Sequence, residues 1–231
     1  MQSNNITFKK ERNNASTSRR EETKQPFEKM QKQERKIQML ENLKNYHIIL
    51  ASNSPRRREL FSALGLEFEI KTLPGIDENY PETLIGQAIP MHIAAHKAEA
   101  YRETMNENDL IITADTIVHV NNEVLGKPVD AEDARRMLHL LSNRCHEVIT
   151  GVSLMTKDMQ HTFAVTTNVT FDKLTDEEID FYIEHYKPYD KAGSYGIQEW
   201  IGLVGVSKIE GSYFNVMGLP VQRLYKELQR F

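Results

Sequence analysis

Residues 46–57 read YHIILASNSPRR and predict a buried strand that runs through a tight loop into a helix. The apolar run at 46–51 has the length of a buried strand. Ser54 is a favoured N-cap residue, and Pro55 suits the first turn of a helix because that turn needs no N–H from it. This strand–helix unit is the starting point of an α/β fold.

The same periodicities predict the elements that follow. Strands alternate with helices, and Asn121-Asn122 predicts a hairpin turn. Strands are predicted at 68–73, 109–120, 123–125, 148–156, 162–171 and 204–209, and helices at 84–105, 130–141, 175–185 and 220–230. We therefore expect an α/β fold with a mixed, twisted sheet flanked by helices.

Charge divides the chain near residue 38. The 231 residues include 29 Lys and Arg against 33 Asp and Glu, a formal charge of −4. Residues 1–38 hold ten basic and five acidic side chains with few apolar ones, which predicts a disordered or loosely helical extension. Residues 39–231 hold 19 basic and 28 acidic side chains and have the length of a single domain with two lobes around a cleft.

Composition excludes several classes of protein. The single cysteine, Cys145, permits no intrachain disulfide, so we expect a cytoplasmic protein. No apolar run approaches the roughly 18 residues of a membrane helix, so no membrane partner is expected. The acidic balance of 39–231 argues against nucleic-acid binding. The interleaved charges of 1–38 favour a solvated linker over a nucleic-acid arm.

An anion site is predicted where the first strand meets the first helix. Ser52 and Ser54 flank the turn, and Arg56 and Arg57 lie in the first helical turn. A helix N-terminus offers unpaired N–H groups and a positive dipole end, and arginine forks match phosphate oxygens. On this motif alone, an exposed and solvated first turn is an equal alternative.

Two acidic residues are candidates for a general base or for ligands of a hard cation. Asp115 follows the apolar run 109–114, and we expect it at the carboxyl end of that strand, where bases and metal ligands are common. Glu78 lies in a loop rich in Pro and Gly and could add a second oxygen ligand. The alternatives are an aspartate that starts a turn and a solvated loop.

Two later loops complete the predicted site. Lys127 follows Gly126, after a hairpin that would bring it back toward Asp115, although it could equally be a surface lysine. In the loop 190–198, Gln198 could present a donor and an acceptor to a base edge. Basic residues and paired carboxylates together are what metal-assisted attack of water on a phosphoanhydride requires.

Five stretches of the sequence have distinctive patterns: LASNSPRRREL at 50–60, ADT at 114–116, LGKP at 125–128, DKAGSYGIQ at 190–198 and GSYFNVMGLP at 211–220. They resemble signature motifs of the Maf family of nucleoside triphosphate pyrophosphatases. The resemblance extends in order over about residues 46–225 and implies an inosine-triphosphatase-like fold. It also implies hydrolysis between the α and β phosphates, to a nucleoside monophosphate and pyrophosphate. Residues 1–38 have no counterpart in the family.

The resemblance also implies roles for individual residues. Asp115 resembles the family's proton acceptor, and Glu78 resembles the acid that helps hold a divalent cation, Mg²⁺ before Mn²⁺ or Co²⁺. Thr116 and Gln198, with Arg57, match positions linked to base selectivity. The positions that face the phosphates are matched by Ser52, Arg56, Arg57, Lys97 and Lys127.

The loop 190–198 resembles the branch of the family that acts on dTTP and UTP rather than the branch that acts on 7-methyl-GTP. The resemblance thus implies a house-cleaning enzyme with a nucleoside triphosphate substrate and a homodimer as a candidate assembly. Two other hypotheses stay open. One is a non-catalytic nucleotide-binding regulator of cell division and septum formation, and the other is a nucleic-acid-binding protein that uses residues 1–38.

Overall fold

A seven-stranded sheet forms the centre of the part of the chain that the computed structural model describes, residues 40–231. Residues 42–231 form one compact unit. The prediction for residues 1–38 lies outside the described residues. The strands are β1 (His47–Leu50), β2 (Glu69–Ile70), β3 (Asp109–Val120), β4 (Glu123–Leu125), β5 (Cys145–Met155), β6 (Gln160–Phe171) and β7 (Val206–Glu210).

The helices differ widely in length. Among residues 40–231, no helix combines the length and the hydropathy that crossing a membrane requires. Short 3₁₀ turns occur at Glu41–Leu43 and Ala192–Ser194. The α-helices are α1 (Pro55–Ser62), α2 (Ala88–Glu99), α3 (Ala131–Leu141), α4 (Asp176–Tyr186), α5 (Trp200–Gly205), α6 (Tyr213–Val216) and α7 (Val221–Leu228).

The sheet mixes parallel and antiparallel pairs, as the sequence predicts. Its strand order is β2–β1–β3–β5–β6–β7, with β4 paired to β3 outside that path. β1 runs parallel to β2 and β3, and the other pairs are antiparallel. Parallel neighbours need a crossover, which α1 and α2 supply, whereas tight turns suffice for antiparallel hairpins.

Helices cover both faces of the sheet because strand residues alternate between them. Ile117 and Ile149 are paired in register and pack with Ile93 of α2. Their neighbours Val118 and Val148 are also paired, and they contribute to the larger core that contains residues of α3 and α4. The helix-flanked α/β fold is therefore confirmed.

Two predicted helix starts are confirmed at atomic detail, whereas the helix predicted at 84–105 is shorter, Ala88–Glu99. Pro55 is the first residue of α1, and Ser54 Oγ accepts a hydrogen bond from the Arg57 N–H at 3.4 Å. Asp130 caps α3 through the N–H of Asp133. These side chains satisfy backbone donors that the first helical turn leaves unpaired.

The prediction that Asp115 ends a strand is wrong. β3 continues for 12 residues from Asp109 to Val120, and Asp115 lies in its middle, paired in register with Gly151 of β5. The strand continues because residues 117–119 pair with β5 and residues 118–120 pair with β4, which keeps the backbone extended. The strand predicted at 68–73 is also shorter in the structure, where only Glu69–Ile70 (β2) forms a strand.

Candidate active site

A cleft of about 780 Å³ is lined by all nine residues that the sequence assigned to catalysis, phosphate, metal or base selectivity. Its walls come from the β1–α1 turn, the loop before α2, α2 itself, β3 and three later loops. The turn places Ser52 and the helix start beside β3, because β1 and β3 are parallel neighbours. The nine residues are Ser52, Arg56, Arg57, Glu78, Lys97, Asp115, Thr116, Lys127 and Gln198.

Lys97 joins the two carboxylates that the sequence singled out. Its Nζ lies 2.8 Å from Asp115 Oδ1 and 2.8 Å from Glu78 Oε1. Lys97 and Asp115 are largely enclosed, whereas about half of the Glu78 side chain is exposed. Burial raises the pKa of Glu78, but the hydrogen bond and charge of Lys97, with Lys127 and Arg57, outweigh it and hold that pKa below its ordinary value. Glu78 is therefore a carboxylate near neutral pH.

A missing side chain on β5 lets α2 approach the sheet closely enough for this contact. Gly151 lies opposite Asp115, and a Cβ atom on Gly151 would overlap the main chain of Pro90 in α2. Helices cannot pass that close to a strand residue with a larger side chain. Gly151 thus sets the distance between the helix that carries Lys97 and the strand that carries Asp115.

Arg57 is held by the protein itself rather than extended into solvent. Its Nε donates to Gly218 O at 2.8 Å, its Nη1 to Ala114 O at 2.8 Å, and its Nη2 to Thr116 Oγ1 at 3.0 Å. Burial lowers the pKa of Arg57, and the negative charge of Asp115 opposes that effect. The side chain therefore places a fixed positive charge behind Asp115 and connects α1, β3 and the loop after α6.

Arg56, Lys127 and Ser52 are the remaining candidates for phosphate contacts. Arg56 Nη1 lies 2.9 Å from Asp190 Oδ2, and that carboxylate also accepts from Lys191 at 2.7 Å. Lys127 is exposed at the cleft, in the loop after β4. Ser52 is buried, and its Oγ accepts from the Ser54 N–H at 3.2 Å. Arg56 and Lys127 therefore both bring positive charge to the cleft, and Asp190 offsets part of that of Arg56.

A buried ionic network supports the loop 190–198, and residue patterns gave no sign of it. Lys191 is 8% exposed, and its Nζ lies 3.1 Å from Glu199 Oε1. The Tyr182 hydroxyl donates to the other oxygen of Glu199 and accepts from the Gly196 N–H at 3.0 Å. Gly196 lines the cleft beside the exposed Gln198. The network therefore holds the loop 190–198, which forms one wall of the cleft, through contacts on the side away from the cleft.

The two carboxylates suit a hard divalent cation. Glu78 and Asp115 contact the same ammonium nitrogen and therefore face one small space from two sides. Mg²⁺ is often held by one or two protein carboxylates, and water and substrate phosphates complete its coordination. Residues 40–231 contain no group of three or more His, Cys, Asp or Glu side chains arranged for a metal. The donor set therefore fits a cation that arrives with a phosphate ligand.

Comparison with known proteins shows which family the chain is similar to. A model of the Maf-like protein family matches residues 47–231. The dTTP/UTP pyrophosphatase of Phocaeicola vulgatus is 64% identical over 192 residues, which cover 83% of this chain and 100% of the relative. That of Parabacteroides distasonis is 58% identical over 193 residues, with coverage of 84% and 100%.

Among solved structures, a HAM1 protein from Coxiella burnetii covers 80% of this chain and 100% of its own, with a TM-score of 0.44 and 15% identity. The family model and the two bacterial relatives decide the assignment, because each covers most of the described chain. The chain belongs to the Maf family.

Proposed function

We propose that this chain hydrolyses nucleoside triphosphates, dTTP and UTP foremost, to a nucleoside monophosphate and pyrophosphate, and so cleans the nucleotide pool. The observation that carries the proposal is the contact of Lys97 with Asp115 and Glu78 in a cleft that also holds Arg56 and Lys127. The relatives named dTTP/UTP pyrophosphatase, which match over their full length, support the same reaction.

The charge of the cleft orients the substrate. Arg56 and Lys127 attract the triphosphate, and the N-terminus of α1, which carries Arg56, adds N–H donors. Other residues that line the cleft are uncharged, among them Val118, Tyr195 and Gln198. A base placed among them extends away from the phosphates, as the length of a nucleotide requires.

In the proposed reaction, Asp115 accepts a proton from the attacking water. The water oxygen forms a bond to phosphorus, the anhydride P–O bond breaks, and the electron pair leaves with pyrophosphate. Lys97 holds the Asp115 carboxylate in place, and Arg56 and Lys127 stabilise the charge of the leaving group. A divalent cation held by Glu78 and Asp115, Mg²⁺ before Mn²⁺ or Co²⁺, would neutralise phosphate oxygens.

Pyrophosphate release from a panel of canonical and modified nucleoside triphosphates tests this function. We expect dTTP and UTP to give the highest kcat/KM, with no release after chelation of divalent cations. Tight nucleotide binding without turnover would instead support a regulator of cell division. That alternative is not favoured, because the Asp115–Lys97 constellation is intact and the relatives are named as pyrophosphatases.

The proposal also includes a cytoplasmic location, a homodimer and no binding to nucleic acid. Cys145 is a free thiol, as expected in a reducing cytoplasm. A homodimer is tested by light scattering of the purified chain. An absence of nucleic-acid binding is tested by retention of the full chain on DNA and RNA at low salt, where we expect none.

A further inference from the structure

Four residues form a continuous hydrogen-bonded chain from the cleft into the core. Arg57 Nη2 lies 3.0 Å from Thr116 Oγ1, which lies 2.9 Å from Thr150 Oγ1. Thr150 Oγ1 in turn lies 3.1 Å from the main-chain oxygen of Asn215. Thr116 lines the cleft, whereas Thr150 is completely buried behind it.

The two ends of this chain determine where its protons point. A guanidinium can only donate, so Thr116 Oγ1 accepts from Arg57. A carbonyl oxygen can only accept, so the single hydroxyl proton of Thr150 points at Asn215 O. The remaining contact, between the two threonines, must then use the hydroxyl proton of Thr116. Thr116 therefore donates inward, away from the cleft.

The consequence is that Thr116 presents an acceptor to a ligand in the cleft. A hydroxyl oxygen offers one proton and two lone pairs. Thr150 takes the proton and Arg57 occupies one lone pair, which leaves one lone pair for a ligand. Gly218 places no side chain against that oxygen; a Cβ atom there would be in van der Waals contact with it, at 3.6 Å.

The acceptor lies where the base is expected. Besides Arg57, which binds Thr116, the cleft-lining side chains of this part of the sheet include the apolar pair Val118 and Val148, one register position beyond Thr116 and Thr150 on the same face. Uracil and thymine carry a donor, the N3–H of the imide, whereas N3 of cytosine is an acceptor. An acceptor-only Thr116 pairs with an imide and leaves cytosine N3 facing a lone pair, which is costly in an enclosed site.

We propose that Thr150 is a positioning residue for base selection. It takes the hydroxyl proton of Thr116 and thereby makes Thr116 an acceptor that favours uracil and thymine over cytosine. Thr150 does so from the core, without contact with substrate. The inference rests on the proposed function, since it concerns the base of the same nucleoside triphosphate.

The test compares UTP with CTP, and dTTP with dCTP, in variants that keep or remove the buried hydroxyl. Thr150→Val frees the Thr116 proton to point into the cleft, so the ratio of kcat/KM for UTP over CTP should fall at least about tenfold. Thr150→Ser keeps the hydroxyl and should keep that ratio. In a Thr116→Val background, Thr150→Val should change the ratio no further.

An unchanged ratio in Thr150→Val, or an equal loss in Thr150→Ser, would overturn the role of Thr150. If the valine variant does not fold, Thr150→Ala removes the same hydroxyl without added bulk and should give the same fall. Dissociation constants of UTP and CTP are also measured with Asp115→Asn, with and without Thr150→Val. Absence of dTTP and UTP turnover in the unmodified protein would refute the proposed function, while this binding ratio still decides the role of Thr150.

Discussion

The ammonium nitrogen of Lys97 lies 2.8 Å from Asp115 Oδ1, although 18 residues separate the two in the chain. One side chain comes from the last turn of α2 and the other from the middle of β3. Their exposures of 15% and 14% shield the pair from water, which strengthens its electrostatic interaction. The position of Asp115, the proposed proton acceptor, therefore depends on how α2 packs on the sheet.

Replacement of Lys97 should impair turnover more than stability. Lys97→Met leaves the Asp115 and Glu78 carboxylates facing each other without the intervening ammonium group. We expect kcat/KM for dTTP to fall at least about a hundredfold, as for other groups that position a catalytic carboxylate. Steady-state pyrophosphate release measures it.

Lys208→Met provides the matched control for that experiment. Lys208 is 60% exposed on β7 and pairs only with Glu210 among the described contacts. Surface pairs of this kind contribute little, so the control should retain nearly full activity. A Lys97→Met enzyme within threefold of the unmodified chain would show that the contact is not needed for turnover.

Gly151→Ala should separate α2 from the sheet. The added methyl group would overlap the main chain of Pro90, and overpacking of this kind costs about 1–3 kcal/mol of unfolding free energy. Because α2 also carries Lys97, activity should fall as well. Urea unfolding and dTTP turnover measure the two effects.

Cys145→Ala is the control on the same strand, at an exposed position where neither quantity should change appreciably. If Gly151→Ala were as stable and as active as this control, the close approach of α2 would have no importance for the site.

Local signals predicted much of the fold. The N-cap Ser54 was identified, and helix starts were placed at residues 130 and 175, because an N-cap acts on donors within its own first turn. The extent of β3 to Val120 was predicted, but the placement of Asp115 at a strand end was wrong, because the pairing of the residues around Asp115 involves β5, which is distant in sequence. The register between two strands cannot be predicted from the sequence of one strand alone.

The residues of the site also divide into those that local sequence identifies and those that it does not. Residues 52–57 and Asp115 stood out through their own chemistry, whereas Lys97 was found only through family resemblance, since one lysine on a helix has no distinguishing pattern. The contacts of Tyr182 with Gly196 and of Thr150 with Asn215 join segments that no periodicity relates. Contacts of this type become visible only in the folded chain.

Tyr182→Phe should loosen the wall formed by residues 190–198. The hydroxyl accepts from the Gly196 N–H and donates to Glu199, and loss of such buried partners costs about 1–3 kcal/mol of stability. KM for dTTP should rise several-fold with little change in kcat, because Lys97 and Asp115 lie on other elements.

Tyr186→Phe, one turn further along α4 and 39% exposed, is the control for steady-state kinetics and thermal unfolding. Equal KM values in the two variants would mean that the Tyr182 hydroxyl does not position this loop.

Stability should decline in mild acid because of His146. This side chain is 2% exposed, and burial lowers the pKa of His146 to about 4 from 6.5. Between these pH values the unfolded chain binds a proton that the folded chain does not, so unfolding free energy falls as pH falls from 6.5 toward 4. At about 1.4 kcal/mol per pKa unit, the loss amounts to at most a few kcal/mol.

Urea unfolding at several pH values between 4 and 6.5 measures this effect. The unfolding free energy of His146→Gln should depend less on pH than that of the unmodified chain. His185→Gln, at an exposed position, is the control and should leave the pH dependence unchanged. Identical slopes for the unmodified chain and His146→Gln would rule out His146 as the source of the acid sensitivity.

The proposed proton transfer is tested most directly by measuring pyrophosphate release from dTTP, with Mg²⁺, by Asp115→Asn and by the unmodified chain. This substitution removes the carboxylate without changing the size of the side chain. The amide keeps an oxygen near Lys97 but cannot accept the proton of water, so kcat should fall by about a thousandfold or more while the protein still folds and binds nucleotide. If Asp115→Asn released pyrophosphate at the rate of the unmodified chain, Asp115 would not be the proton acceptor and the proposed mechanism would be wrong.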